Sequence, residues 1–252
     1  MNKTSKIFAG KNIYYYQTVD STNLAIRRLA DEGAPSCSIV LAEEQQKGRG
    51  RLGRSWFSPP GCGLWFSILL RPRMLNPVNA APITLVTAAI VAENLRNLHN
   101  LPVNVKWPND LLFDDKKLGG ILTELKGEPD RVEYIIVGIG LNVNQQPGDF
   151  PAELGMQSAS LYMAGGRLIN RIDLFLSLRK DLLKAYALFF RNGFTPFRDL
   201  WKKNNRTLGQ EVTVSWSGGK LQGKALDLTE NGSLLIEDKH GQINIVNYGE
   251  IN

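Results

Sequence analysis

Histidine and cysteine are scarce: His99, His240, Cys37 and Cys62 are the only ones in 252 residues. Catalysis built on a histidine base is therefore not expected, and no Cys/His cluster has metal-ligand spacing. The two cysteines fit a reducing compartment, where they stay as thiols. Long apolar runs are missing too. Each is interrupted before the ~18 residues that a membrane span needs, and Met1 to Gln17 holds no apolar stretch of signal-peptide length. A cytoplasmic protein with no membrane partner is expected. There is no Gly-x-x-x-x-Gly-Lys-Ser/Thr, and no Gly-x-Gly-x-x-Gly opens a helix after a strand, so the usual P-loop and dinucleotide fingerprints are excluded.

What is present is a globular composition. Apolar residues make up 43% of the chain, ample for a core, and the length suits one large domain with or without a small one. The net charge is +6, which fits either a nucleic-acid partner or a polyanionic small molecule. Its distribution separates the two halves. Residues 1–205 carry 26 Lys and Arg against 18 Asp and Glu, net +8, whereas residues 206–252 carry 4 against 6, net −2. The densest basic segment is Lys47, Arg49, Arg51 and Arg54, interleaved with glycine as in a loop rather than spaced as on a helix face.

Strand and helix signals follow in order. Ile13 to Thr18 reads as a strand, and Asp20-Ser21-Thr22-Asn23 as the cap of a helix through Leu24, Ile26 and Leu29 that stops at Gly33. Strands are expected at Cys37 to Ala42, Leu64 to Leu70 and Val103 to Trp107, the last ended by Pro108. Between them, Pro77 to Leu98 reads as one long helix. Asp110 to Phe113 and Lys117 to Leu125 pair across a tight turn at Asp114-Asp115. Tyr134 to Ile139 is a central strand, Asn144 to Ser160 an irregular segment of the kind that often serves as a lid, and Ile172 to Arg191 an amphipathic helix. A short helix runs from Thr195-Pro196 through Trp201. After Asn205 four short strands, Glu211 to Trp216, Lys220 to Leu228, Ser233 to Glu237 and Gln242 to Val246, suggest a small barrel. Two domains are thus expected, 1–205 and 206–252.

Two segments carry chemistry. In Gln45-Gln46-Lys47-Gly48-Arg49-Gly50-Arg51-Leu52-Gly53-Arg54, glycines let the backbone approach a ligand and four cations supply donors for carboxylate and phosphate oxygens. The same composition also describes a plain solvated loop. In Lys106-Trp107-Pro108-Asn109-Asp110, followed by Lys117, a lysine, an amide and a carboxylate can hold a triphosphate with its magnesium, Asp110 being the metal ligand. Read alone, Lys106 and Asp110 are equally a surface pair and Trp107 a core residue. Trp56 reads as core or as ligand wall, and Ser21-Thr22-Asn23 as a cap, a polar pocket or both.

Taken in order, Ser21-Thr22-Asn23, Gln45 to Arg54 with Trp56-Phe57-Ser58-Pro59, Lys106 to Asp110, Lys117-Leu118-Gly119-Gly120-Ile121-Leu122 and Gly138-Ile139-Gly140-Leu141-Asn142 resemble the successive motifs of the biotin protein ligases, from about residue 13 to the C-terminus. The resemblance implies an α+β fold. Its larger part is a mixed sheet flanked by helices, akin to class II aminoacyl-tRNA synthetases, and an SH3-like barrel follows. It implies ATP and biotin as substrates with Mg2+. Biotin would meet Ser21, Thr22, Asn23, Gln45, Arg49, Gly50, Arg51, Lys117 and Gly120. ATP would meet Arg51, Arg54, Trp56, Lys106, Asn109, Lys117 and Asn142, with Asp110 on the metal. Lys117 and Arg51 would be catalytic, and Asn144 to Ser160 an adenine-side lid. The implied reaction makes biotinyl-5′-AMP and passes biotin to a lysine of a biotin carboxyl carrier domain of a carboxylase. Monomer and homodimer both stay open.

Many bacterial relatives begin with a winged helix-turn-helix that binds an operator. The 20 residues before Ser21 are too few for one, so neither repression nor specific DNA binding is expected. Two alternatives remain. One is a ligase for another carboxylate such as lipoate, although the glycine-triplet and His-Asp signatures of lipoate ligases do not appear. The other is a basic nucleic-acid-binding protein with a β-barrel, against which stand the acidic barrel and a basic loop without interleaved aromatics.

Overall fold

The computed structural model describes residues 12–251; the part of the expected first domain before Asn12 lies outside that range. The strands and helices are, in order, β1 (Ile13–Val19), α1 (Thr22–Asp31), β2 (Ile39–Gln45), β3 (Gly63–Leu70), α2 (Pro77–Ala80), α3 (Ile83–His99), β4 (Asn104–Lys106), β5 (Asp110–Phe113), β6 (Lys116–Glu128), β7 (Arg131–Asn142), α4 (Ala152–Gly155), α5 (Leu161–Gly165), α6 (Arg171–Asn192), α7 (Thr195–Lys203), β8 (Glu211–Trp216), β9 (Gly219–Leu228), β10 (Leu234–Glu237), β11 (Ile243–Val246) and β12 (Glu250–Ile251). Seven strands form one sheet in the order β1-β2-β3-β7-β6-β5-β4. Only β1 and β2 run parallel; the other pairs are antiparallel. The mixed, helix-flanked sheet expected from the sequence is therefore what forms, and a five-stranded antiparallel sheet, β11-β10-β9-β8-β12, follows it.

Alternation along the strands sorts the core into two layers, because successive side chains point to opposite faces. Ile39, Leu41, Leu64, Phe66, Ile68, Ile135, Val137 and Ile139 face the helices α3 and α6. Val40, Ala42, Leu69, Tyr134 and Ile136 face α1, against Ile26 and Leu29. One row across the sheet can be followed by register: Lys106, Asp110, Gly120, Gly140, Trp65, Ala42, Tyr16. A neighbouring row holds Leu122, Gly138, Ser67 and Val40. Glycines at the centre of both rows leave a trough on the α1 face.

Some boundaries differ from the sequence reading. The expected helix Pro77 to Leu98 is two, because Pro82 has no N–H to continue the ladder and instead opens α3, accepting from the Val86 N–H at 3.0 Å. The stretch 77–99 is long and apolar enough to cross a membrane by composition alone, but most of it is buried, between the sheet and α6. The strand expected from Cys37 begins at Ile39, since Cys37 has φ 66°. The Asp114-Asp115 turn forms with positive φ at both residues. β6 and β7 run longer than expected and make a ribbon that carries the site. The segment 144–160 is not wholly irregular. It contains α4, and its end is tied to β6 by Lys117 N–H to Gln157 O (2.7 Å) and Ala159 N–H to Lys117 O (2.9 Å). A fifth strand, β12, joins the four expected after Asn205.

The two sheets touch through directed bonds. The Trp107 indole donates to Gly232 O at 3.1 Å, and Trp107 N–H to the Thr207 hydroxyl at 2.9 Å. Packing makes a stability contrast on α6. Leu182 is fully buried while Leu176 is 43% exposed. Leu182→Ala is expected to lower the unfolding free energy by about 2–5 kcal/mol through lost transfer energy and a cavity, and Leu176→Ala by under ~1 kcal/mol. Urea unfolding of both variants checks this; equal losses would contradict the packing described.

Candidate active site

The trough on the α1 face opens into a cleft lined by residues of both sheets. Its floor is the glycine pair of the central rows. A Cβ built on Gly140 would lie 2.6 Å from Trp56 Nε1, and one built on Gly138 would lie 2.1 Å from Asn23 Oδ1. Only glycine lets the indole and the amide rest on the β7 backbone. Trp56 leans edge-on against the buried Trp65, with ring centroids 6.3 Å apart. Trp56 therefore belongs to the site wall as well as to the packing beneath it.

One end of the cleft is neutral and polar. Ser21, Thr22 and Asn23 are all buried there, where α1 begins. Ser21 occupies the N-cap position, but its side chain makes no capping hydrogen bond; Asp20 instead accepts from the Ser21 N–H at 2.7 Å. Thr22 donates from its N–H to Gln45 Oε1 at 2.8 Å, and Gln45 Nε2 donates to the Ser58 hydroxyl at 2.8 Å. Asn23 is held on both sides of its amide, by Ser67 and by Glu124. Its role in the structure is to brace the pocket rather than to offer it an open amide.

The other end is cationic. The loop after β2 is pinned by Gly50 N–H to Arg54 O at 2.7 Å, and a Cβ on Gly48 would lie 2.2 Å from Trp56 O. Arg51 turns inward and donates to Gly249 O at 3.0 Å and to Asn109 Oδ1 at 3.3 Å. Burial lowers its pKa, the nearby carboxylates of Glu250 and Asp110 opposing that shift. Leu52, beside it, has φ 52° and points to solvent. Arg54 pairs with Glu250, and Arg49 Nη1 lies 3.1 Å from Glu124 Oε1. At the centre, Lys117 Nζ sits 2.7 Å from Asp110 Oδ1, a charge contact without hydrogen-bond alignment, and 5.6 Å from the Trp56 ring. Asn109 is aimed by its own bond to Ile121 O at 3.1 Å.

The structure thus brings Ser21, Thr22, Asn23, Gln45, Arg49, Gly50, Arg51, Arg54, Trp56, Lys106, Asn109, Asp110, Lys117 and Gly120 to one cleft. Asn142 stands behind it. Its amide donates to Ala159 O at 3.0 Å and to Lys117 O at 3.3 Å, so it links the 144–160 segment to the strand that carries Lys117. Glu250 and Ile251 line the cleft from the second sheet. No local signal marks them. Gly249 and Glu250 meet Arg51 and Arg54 across almost 200 residues of chain. Among the described residues no group of three or more His, Cys, Asp or Glu comes together to hold a metal.

Residues 15–142 match the Biotin/lipoate A/B protein ligase family, and residues 207–252 match the Biotin protein ligase C terminal domain. The chain is 38% identical over 233 residues to the bifunctional ligase/repressor BirA of Bacillus subtilis (strain 168), covering 92% of this chain and 71% of that protein. It is 30% identical over 227 residues to the biotin--[acetyl-CoA-carboxylase] ligase of Paracoccus denitrificans, covering 88% and 93%. A structure of the biotin protein ligase from Aquifex aeolicus in complex with biotin and ATP superposes with a TM-score of 0.82 at 34% identity, over 96% of this chain and 98% of that one. The chain belongs to the biotin protein ligase family.

The glycine floor makes a sharp test. Gly140→Ala places a methyl where Trp56 now rests, so the indole must leave its place, at a cost of about 1–3 kcal/mol from overpacking. The Trp56 contribution to fluorescence, read as the difference between each protein and its Trp56→Phe partner, should shift in the alanine variant. An unchanged contribution with unchanged stability would show that Trp56 does not lie on β7.

Proposed function

We propose that this chain joins biotin to a protein lysine in two steps through the cleft between Thr22 and Arg54. Family membership makes it an ATP-dependent biotin ligase. In the first step a biotin carboxylate oxygen bonds to the α-phosphorus of ATP, the bond to the β-phosphate oxygen breaks, and pyrophosphate leaves. In the second, a lysine amine of the acceptor attacks the acyl carbon of biotinyl-5′-AMP, an amide forms and AMP leaves. The observation that carries this reading is the division of the cleft into a neutral end and a cationic end, with Lys117 at their junction.

Each end suits one substrate. A ureido ring has donors and an acceptor, and Ser21, Thr22 and Gln45 offer both kinds. Arg51, Arg54, Lys106 and Asn109 suit phosphate oxygens and the nucleotide. Asp110 would hold magnesium together with phosphate oxygens, as that ion prefers few carboxylates, and the metal would draw charge from the phosphates. Lys117 stands where a carboxylate and an α-phosphate must meet, so it lowers the charge repulsion between them. Positioning and preorganised charge supply the catalysis, and no enzyme nucleophile is needed. Asn142 acts on the nucleotide side indirectly, by bracing Lys117 and the 144–160 segment.

The finer parts belong to the same proposal. The acceptor is a biotin carboxyl carrier domain of a carboxylase, and the protein works in the cytoplasm. Repression is not part of the function; the basic residues gather on a glycine-flanked loop at the cleft rather than along a helix face. The domain boundary is placed after Asn205, in the turn before β8. Incubating the protein with biotin, labelled ATP and magnesium should yield biotinyl-AMP; no product from biotin, or product from lipoate alone, would overturn the reading.

Two variants dissect it. Lys117→Ala is expected to slow adenylate formation by about 10²–10³-fold in a folded protein; near-wild-type formation would remove Lys117 from catalysis. Arg51→Gly loses the bonds to Gly249 and Asn109 and adds loop entropy. It should still make biotinyl-AMP but release it faster, so that bystander serum albumin becomes biotinylated. Unlabelled albumin with wild-type release would show that Arg51 does not retain the intermediate.

A further inference from the structure

Glu124 stands just outside the cleft, on β6 beyond the pocket-lining Leu122, and no role follows for it from the two half-reactions. Its side chain is 16% exposed and meets three parts of the chain. Oε1 accepts from Arg27 Nη2 of α1 at 2.6 Å and lies 3.1 Å from Arg49 Nη1 of the basic loop; Oε2 accepts from Asn23 Nδ2 at 2.8 Å. A carboxylate only accepts, so Glu124, together with the Leu122 carbonyl that accepts from the same Nδ2 at 3.2 Å, turns the Asn23 amide to present Nδ2 to β6 and Oδ1 to Ser67. Ser67 has one hydroxyl proton and two neighbours, Asn23 Oδ1 at 2.6 Å and Thr22 Oγ1 at 2.8 Å. Asn23 Oδ1 cannot donate, so it takes that proton, and the Thr22 hydroxyl spends its own proton within the protein, on Ser67 Oγ or on Gln45 Oε1 at 3.1 Å. The Gln45 carbonyl also accepts from the Thr22 N–H. What Thr22 has left for a ligand is an acceptor lone pair. Glu124, with Leu122 O, thereby helps to set the polarity of the neutral end of the cleft.

The same carboxylate holds the loop. Arg49 lies between Gly48 and Gly50, where the backbone is least restrained by its own side chains. With Arg49 on Glu124, the loop is tied to the sheet at its start; the Arg54 contact with Glu250 ties it at its end. We propose that Glu124 is a positioning residue for biotin. It orients the hydrogen-bonding groups that receive the ureido ring and moors the basic loop through Arg49. This rests on the reading that the neutral end of the cleft receives biotin.

Glu124→Gln keeps the shape, removes the charge that holds Arg49, and replaces the charge-assisted bond to Asn23 by a weaker neutral one, leaving Leu122 O and Ser67 as the main holds on the Asn23 amide. The KM for biotin in adenylate formation is expected to rise about tenfold, the effect of one charge-assisted bond, while kcat and the KM for ATP stay within about twofold. Trypsin should cut after Arg49 and Arg51 faster in the unliganded variant than in wild type. Arg27→Ala, at a site 41% exposed, leaves the Asn23 and Arg49 contacts in place and should match wild type in all of these. Arg49→Gln breaks the mooring from the other side and should speed cleavage after Arg51, which keeps the test decisive if Glu124→Gln fails to fold. Wild-type biotin KM and wild-type cleavage in Glu124→Gln overturn the proposal, as does a fall in kcat at unchanged KM, or unchanged cleavage in Arg49→Gln. A wild-type protein that makes no biotinyl-AMP fails on the function instead; the cleavage rates of the unliganded proteins still test the mooring.

Discussion

Two side chains lie flat on the backbone of β7, and the rest of the site depends on that approach. Asn23 rests on Gly138 and Trp56 on Gly140, closer than any Cβ would permit. The first contact fixes where α1 begins over the sheet, and so places Ser21 and Thr22. The second places Trp56 across the row that also carries Gly120, Asp110 and Lys106, with Lys117 at its edge. Sheet pleating does the remainder, because residues two apart on β6 share the trough face. A cleft of this kind is preorganised: its polar groups are held by packing and by each other before any ligand arrives.

Three cations of the cleft are paired within the protein. Lys117 meets Asp110, Arg49 meets Glu124, and Arg54 meets Glu250. Lys117 and Arg54 are more than a third exposed, so an incoming carboxylate or phosphate can take over either cation at little cost. Arg51 differs. It is turned inward and bound to neutral acceptors, and burial acts against its charge. An anion in the cleft relieves that burden.

Much of this was legible in the sequence, and the reasons are local. Glycine between arginines, a Pro-ended strand with its lysine and carboxylate, and the Gly-x-Gly of β7 are short-range patterns, and the structure gathers them into one cleft. Strand and helix types followed from period and composition. What escaped was set by distance along the chain. Glu250 and Gly249 reach Arg54 and Arg51 from the far end of the sequence, and no periodicity announces such a meeting. Asn142 reads as a ligand residue from its motif, yet its amide is turned back into the protein by Lys117 O and Ala159 O. Glu124 looks like one more surface carboxylate until Arg27, Arg49 and Asn23 are seen around it. The helix break at Pro82 was visible in principle; the apolar run across it outweighed a single residue.

In the proposed function, one cleft, floored by Gly138 and Gly140, holds biotin at its neutral end and the nucleotide at its cationic end. A crystal structure of the protein with biotin and a non-hydrolysable ATP analogue tests that most directly. The ureido ring is expected beside Thr22 and Gln45, the phosphates beside Arg54 and Lys106, and Lys117 between the biotin carboxylate and the α-phosphate. Biotin or nucleotide bound elsewhere, or Trp56 and Asn23 lifted off β7 to admit them, would contradict it.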